Sequence, residues 1–203
     1  MKGSIAFAGF VMLSACSFGQ VTGLVSIPVA DNIGFREVEF GYSLSGTDHS
    51  ISKQYGHGAS LLVGVHDRFE IAGSSDFLGG QAWGMKFVPY RSPDEKFVIG
   101  LGLQNINGGQ SDLFAMGRYN LDAVNIHFGW TRDSDHRGLL GIDYAYDRWT
   151  FAADYSSNPD GATWLGVFYD LGQGLTANVS FGRPHTRADG DMHAFGLTYG
   201  IRF

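Results

Sequence analysis

The sequence predicts an all-β fold: a transmembrane, antiparallel, up-and-down barrel of about twelve strands. Three observations lead there. Apolar and small or polar residues alternate with a period of two over most of the chain, and helical periodicity is almost absent. The non-apolar face of those segments is rich in glycine and poor in charge. The last segment alternates up to a terminal aromatic residue, Phe203.

Composition supports each point. The 203 residues are enough for one domain. They include 30 glycines and 14% aromatics, and only 17% are charged, against about 25% in an average chain. Mean hydropathy is −0.06, which fits an apolar outer wall averaged against a polar lumen. The net charge of −6 and the lack of any Lys/Arg cluster exclude nucleic acid as a partner.

Residues 1–20 read as an export signal. Lys2 precedes the short apolar run Ile5 to Leu13, which is too short to span a bilayer as a helix. Two cleavage readings compete. Leu13-Ser14-Ala15-Cys16 resembles a lipobox, which would make Cys16 a lipidation site; Ser17-Phe18-Gly19 offers small residues to ordinary signal peptidase. Cys16 is the only cysteine, so no intrachain disulfide forms. Residues 21–34 read as an N-terminal extended segment, and 35–203 as the barrel.

Twelve strands are expected, at about 35–45, 57–65, 69–77, 81–90, 96–105, 112–119, 123–131, 138–146, 149–156, 162–170, 175–183 and 192–203. In the first, Val38, Phe40, Tyr42 and Leu44 oppose Glu37, Glu39, Gly41 and Ser43. In the fifth, Phe97, Ile99, Leu101 and Leu103 oppose Val98, Gly100, Gly102 and Gln104. In the seventh, Val124, Ile126, Phe128 and Trp130 oppose Asn125, His127 and Gly129. In the last, Phe195, Leu197, Tyr199, Ile201 and Phe203 oppose Gly196, Thr198, Gly200 and Arg202. Such alternation puts one set on each face of a sheet. A soluble sandwich would place many charges on its second face. Glycine suits a narrow lumen crowded by backbone. Segments 112–119 and 162–170 are apolar on both sides, and their faces stay unassigned.

Connections alternate in length. His66-Asp67-Arg68, Asn120-Leu121-Asp122 and Tyr146-Asp147-Arg148 are short, whereas 46–56 and 184–191 are longer. Short periplasmic turns and longer outer loops are the asymmetry of outer-membrane barrels. Trp83, Tyr90, Trp149 and Tyr155 lie near strand ends, where interfacial girdles form.

Two stretches resemble known families. The terminal run Phe195 to Phe203 resembles the assembly signal of outer-membrane barrels, with Tyr199, Ile201 and Phe203 as its alternating apolar positions. This implies a bacterial outer-membrane location and a barrel assembly machinery that reads the strand, along with outer-membrane lipid as a partner. Thr22-Gly23-Leu24-Val25-Ser26-Ile27-Pro28-Val29-Ala30-Asp31 resembles the Gly-Leu-x-x-x-Pro-Thr-Ala opening of YjbH-like exopolysaccharide-associated outer-membrane proteins, with Val29 in place of Thr. Phe40-Gly41-Tyr42 and the hairpin Gly64 to Glu70 fit the same style. The resemblance implies polysaccharide-export components as partners; it implies no reaction.

No catalytic or metal site is expected, and no cofactor. The seven histidines are scattered singly, without metal-ligand spacing. Asp133-Ser134-Asp135-His136-Arg137-Gly138 starts like a calcium loop, but Arg137 stands where a ligand is needed. The enzyme alternative is a lipase or acyltransferase, built on Ser43 with His57 or His193 at the rim. A further alternative is a soluble periplasmic β-sandwich lipoprotein anchored through Cys16. The lumen-facing candidates are Glu37, Glu39, Glu70, Lys86, His127, Asp143, Asp154 and Arg202, with His127 read as a lone, solvated side chain. They suit a narrow passive pore, or a scaffold for envelope or exopolysaccharide export. A twelve-stranded barrel lies between filled and open sizes, so both an open and a plugged lumen are compatible with the sequence.

Overall fold

The computed structural model describes residues 22–47, 55–107, 111–132, 135–186 and 190–203. The signal-like segment 1–20, with Cys16, lies outside the described residues, as do 48–54 of the longest expected loop. Twelve strands follow in order: β1 (Glu37–Thr47), β2 (Gly56–His66), β3 (Phe69–Ser75), β4 (Gln81–Arg91), β5 (Phe97–Ile106), β6 (Asp112–Leu121), β7 (Val124–Arg132), β8 (His136–Tyr146), β9 (Trp149–Ser156), β10 (Ala162–Gly172), β11 (Leu175–Pro184) and β12 (Met192–Arg202). Each pairs antiparallel with its sequence neighbours, and β12 closes on β1 from Glu37↔Arg202 to Thr47↔Met192. Closure leaves no open edge, which is the condition for strands to cross lipid.

The outer wall carries Phe40, Leu61, Ile71, Trp83, Phe87, Leu101, Phe128, Leu140, Ile142, Leu165, Val179 and Leu197, all exposed. An apolar patch that circles the whole molecule is untenable in water and expected in lipid. The soluble sandwich is thereby overturned: the sheet is single and closed, and its apolar face points outward. Strands of up to 11 residues, tilted by about 40°, reach across a hydrocarbon layer about 25 Å tall.

Local chemistry explains the small differences at strand ends. The third strand stops at Ser75 because Asp76 closes a tight loop: its amide donates to the Gly80 carbonyl, and its carboxylate accepts from the Leu78 and Gly80 amides. The first strand starts at Glu37, after a turn in which Glu37 N–H donates to Gly34 O and Arg36 has φ 62°. Pro89 sits where the β4–β5 register shifts between Phe87 and Tyr90, a site where its missing donor is harmless.

Residues 22–34 do not run as an extended segment. The chain enters the barrel at the Gly34 turn and folds back as a hairpin. Leu24 N–H donates to Ile27 O at 2.8 Å, Val29 N–H donates to Thr22 O at 3.1 Å, and Gly23 bridges Pro28. Val25, Val29 and Ala30 are completely buried, with Leu24 and Ile27 nearly so. They form one apolar cluster with Val88, Val98, Phe114, Met116, Trp164 and Phe168 of the wall. This settles the two ambiguous strands. β6 turns Phe114 and Met116 inward, and β10 turns Trp164 and Phe168 inward, because the hairpin gives them an apolar neighbour. Burying each large side chain stabilises the arrangement by about 1.5–3 kcal/mol.

Candidate functional site: the occupied lumen

Alternation along each strand sends charged side chains into the lumen, and the hairpin meets them. Glu70, on β3, is fully buried and accepts four hydrogen bonds. Thr22 donates its amide at 2.7 Å and its hydroxyl at 2.5 Å, and Ile33 donates its amide at 2.8 Å. Lys86, directly across on β4, completes the set at 3.2 Å and also donates to Thr22 O. Buried charges persist only when paired and hydrogen-bonded, and here the hairpin's backbone supplies half of the bonding.

Asp154 of β9 is the second anchor. It accepts the Val25 amide at 2.9 Å, the Ser26 amide at 2.7 Å and the Ser26 hydroxyl at 2.7 Å. The third anchor is an ion pair between Asp31 of the hairpin and Arg118 of β6, at 2.9 Å. Arg118 also donates to the Glu95 carbonyl at 2.7 Å and to Asn125 at 3.3 Å. Asn125 donates to Asp143 at 2.9 Å, and His127 Nε2 lies 2.7 Å from the same carboxylate. His127 is therefore buried and hydrogen-bonded, not solvated as a lone lumen histidine would be.

Glycines make room for the hairpin. A Cβ at Gly100 would lie 2.6 Å from the Ala30 carbonyl oxygen, and one at Gly141 would lie 2.6 Å from a Leu24 methyl. The glycine-rich inner face thus accommodates a second layer of chain, not only the opposite wall.

The remaining candidates lie toward the turn end. Glu39 is buried and Glu37 half-buried, with Glu37 accepting the Gly34 amide at 2.7 Å. Arg202 is exposed at the mouth, 3.8 Å from Glu37. Of the terminal apolar set, Tyr199 and Phe203 are exposed and Ile201 is half-exposed; Tyr199 and Ile201 lie on outward-facing positions of β12, and Phe203, just after the strand, donates its N–H to Arg36 O at 3.0 Å. The alternation that marks Glu70 and Asp154 also leaves Arg118 unmarked, because it sits in an ambiguous strand. A signal for it exists: Asp31, in a segment otherwise apolar, needs a cation.

The serine and histidines of the enzyme alternative do not meet. Ser43 faces the lumen beside Gly58, whereas His57 takes a 2.7 Å hydrogen bond with Tyr42 on the outer face. His193 packs against Tyr55 and Phe195 there too. Among the described residues no cluster of His, Cys, Asp or Glu could hold a metal ion.

The geometry defines a class: a closed twelve-stranded membrane barrel with a lumen occupied by its own N-terminal segment. No protein-family model and no curated protein matches the chain. Solved structures do. The KdgM porin in complex with disordered oligogalacturonate superposes with a TM-score of 0.58 at 15% identity, over 81% of this chain and 99% of that one. Porin variants of Rhodopseudomonas blastica are 13–14% identical with TM-scores of 0.46, and the matches cover 71% of this chain and 55% of theirs. The KdgM likeness establishes a shared barrel fold.

Proposed function

We propose that the chain is a bacterial outer-membrane barrel acting as a narrow passive pore that its own N-terminal hairpin closes. One observation carries this: residues 22–34 fill the lumen, yet few polar anchors hold them, centred on Glu70, Asp154 and Arg118. The turn end, where the chain enters, is the periplasmic side by the asymmetry of turn and loop lengths. Once open, the lumen is acidic in balance. Glu37, Glu39, Glu70, Asp143 and Asp154 face Lys86 and Arg118, so small cations pass in preference to anions. An oligogalacturonate, as bound by the KdgM porin, is a polyanion and does not suit this wall.

A disulfide lock tests the reading in the full chain, with Cys16 replaced by Ser. Val25 and Gly166 face each other, a Cβ at Gly166 falling 2.8 Å from a Val25 methyl. The Val25→Cys/Gly166→Cys barrel should be silent in planar bilayers when oxidised. On reduction it should show small, cation-preferring steps, and Glu37→Gln/Glu39→Gln should weaken that preference. Silence in both states, with folding verified, favours the second reading, a plugged scaffold for exopolysaccharide export. That reading draws on the residues resembling YjbH-like proteins, Thr22 to Asp31, because they are the hairpin itself. Outer-membrane lipid, the barrel assembly machinery and polysaccharide-export components are the proposed partners.

A further inference from the structure

The lumen wall is divided. Its polar anchors for the hairpin lie on β3, β4, β6 and β9: Glu70, Lys86, Arg118 and Asp154. β11 and β12 carry no charge on their inner positions from Thr176 to Ser180 and from Ala194 to Thr198. They carry Thr176, Asn178, Ser180 and Thr198 instead, with Thr176 directly across from Thr198. All four are at most 5% exposed. Thr176 Oγ1, Asn178 Oδ1, Ser180 Oγ and Thr198 Oγ1 have no hydrogen-bond partner among the described residues. Such groups are rare in folded proteins and cost free energy. Four on two adjacent strands form one strip. Beside it β10 sets two inward rings, Phe168 level with Asn178 and Trp164 level with Gly182.

We propose that this strip and its aromatic rail are a solute track, used when the hairpin withdraws, for uncharged polyhydroxylated molecules. The inference rests on the closed-pore reading above. In the plugged state these oxygens have almost no accessible surface, and withdrawal of the hairpin offers them to a solute in the lumen. Hydroxyl and amide groups both donate and accept, which matches a sugar-like solute whose hydroxyls do the same. The rings suit the apolar C–H face of such a solute. A cation is drawn to the carboxylates on the other strands, and an anion finds no positive charge in the strip.

The test uses the full chain with Asp154→Ala, which removes the hairpin's central anchor, reconstituted in liposomes. Osmotic swelling reports entry of the neutral trisaccharide raffinose, and conductance reports potassium. Adding Thr176→Val, Asn178→Leu, Ser180→Ala and Thr198→Val should slow raffinose about tenfold while changing potassium conductance by less than about twofold. Equal raffinose entry with and without the four substitutions overturns the track but leaves the pore standing. Potassium conductance without raffinose entry does the same. Silence to both solutes removes the pore reading and the track with it. Should the combined variant fail to fold, Thr176→Val and Thr198→Val singly, in the otherwise unchanged chain, decide the matter. Each deletes an unpartnered hydroxyl without losing a bond, so the plugged barrel should melt higher. A lower melting temperature would show that the hydroxyls already have partners, and the track falls.

Discussion

Asp154 takes three donors from two consecutive residues, Val25 and Ser26. Removing its carboxylate takes away the acceptor of the buried Val25 amide and of the part-buried Ser26 amide. Asp154→Ala should therefore weaken hairpin docking by about 3 kcal/mol, and hydrogen exchange at the Val25 and Ser26 amides should accelerate to match. Glycine at the contact is the steric counterpart. A Cβ at Gly100 would press on the Ala30 carbonyl, whereas at Gly200 the nearest atom would be 4.0 Å away. Gly100→Ala should lower stability by about 1–3 kcal/mol and expose residues 22–34 to protease, with Gly200→Ala close to neutral. Unchanged proteolysis in Gly100→Ala would mean that the hairpin does not press on that wall. The alternation of single strands places Glu70, Lys86 and Asp154 inward. It cannot reveal that Asp154 bonds to residues 128 and 129 positions earlier, because nothing local encodes a partner so distant in the chain.

At the scale of elements, a strand's face follows from what covers each side. β5 and β12 alternate cleanly because lipid takes one face and small residues take the other. β6 and β10 do not, because their inner faces are also apolar, and the periodicity alone is silent. The missing piece was the hairpin: Leu24, Val25, Ile27 and Val29 need an apolar surface, and Phe114, Met116, Trp164 and Phe168 provide it. The stretch resembling YjbH-like proteins thus has a packing role residue by residue, with Gly23 and Pro28 bridging and Ala30 against Gly100. Strand boundaries were legible because turn residues such as Asp122 and Asp147, both at positive φ, mark them. Lipid contact makes a direct forecast. Leu101 lies mid-strand on the outer wall, while Leu78 projects 90% exposed from the β3–β4 loop. Leu101→Lys should cost about 2–4 kcal/mol in a lipid refolding titration, and Leu78→Lys close to nothing. Equal costs would contradict the assignment of the wall to lipid.

The whole molecule depends on closure, and closure comes last in the chain. β12 must find β1 across nearly the full sequence, pairing along eleven registered positions from Glu37↔Arg202 to Thr47↔Met192. Such a long-range pairing is entropically slow, and in lipid an unclosed edge leaves backbone groups unsatisfied at several kcal/mol each. Phe203 stands just beyond this seam. The residue is 73% exposed, and its amide makes one bond, to Arg36 O. In the finished barrel it therefore contributes little: one interfacial ring and about 1 kcal/mol of hydrogen bonding. We propose that its larger effect falls during assembly, where the last barrel strand and the aromatic that follows it serve as a handle for recognition by strand addition. Deleting Phe203 should leave refolding into detergent or lipid vesicles near normal, with a shift of only a few degrees in melting. In bacterial cells the truncated chain should accumulate in the periplasm or be degraded. Comparing outer-membrane levels of both chains by fractionation separates the two effects. Equal levels would remove the assembly role from Phe203, while poor refolding in vitro would show instead that the ring is needed to hold the seam between β12 and β1.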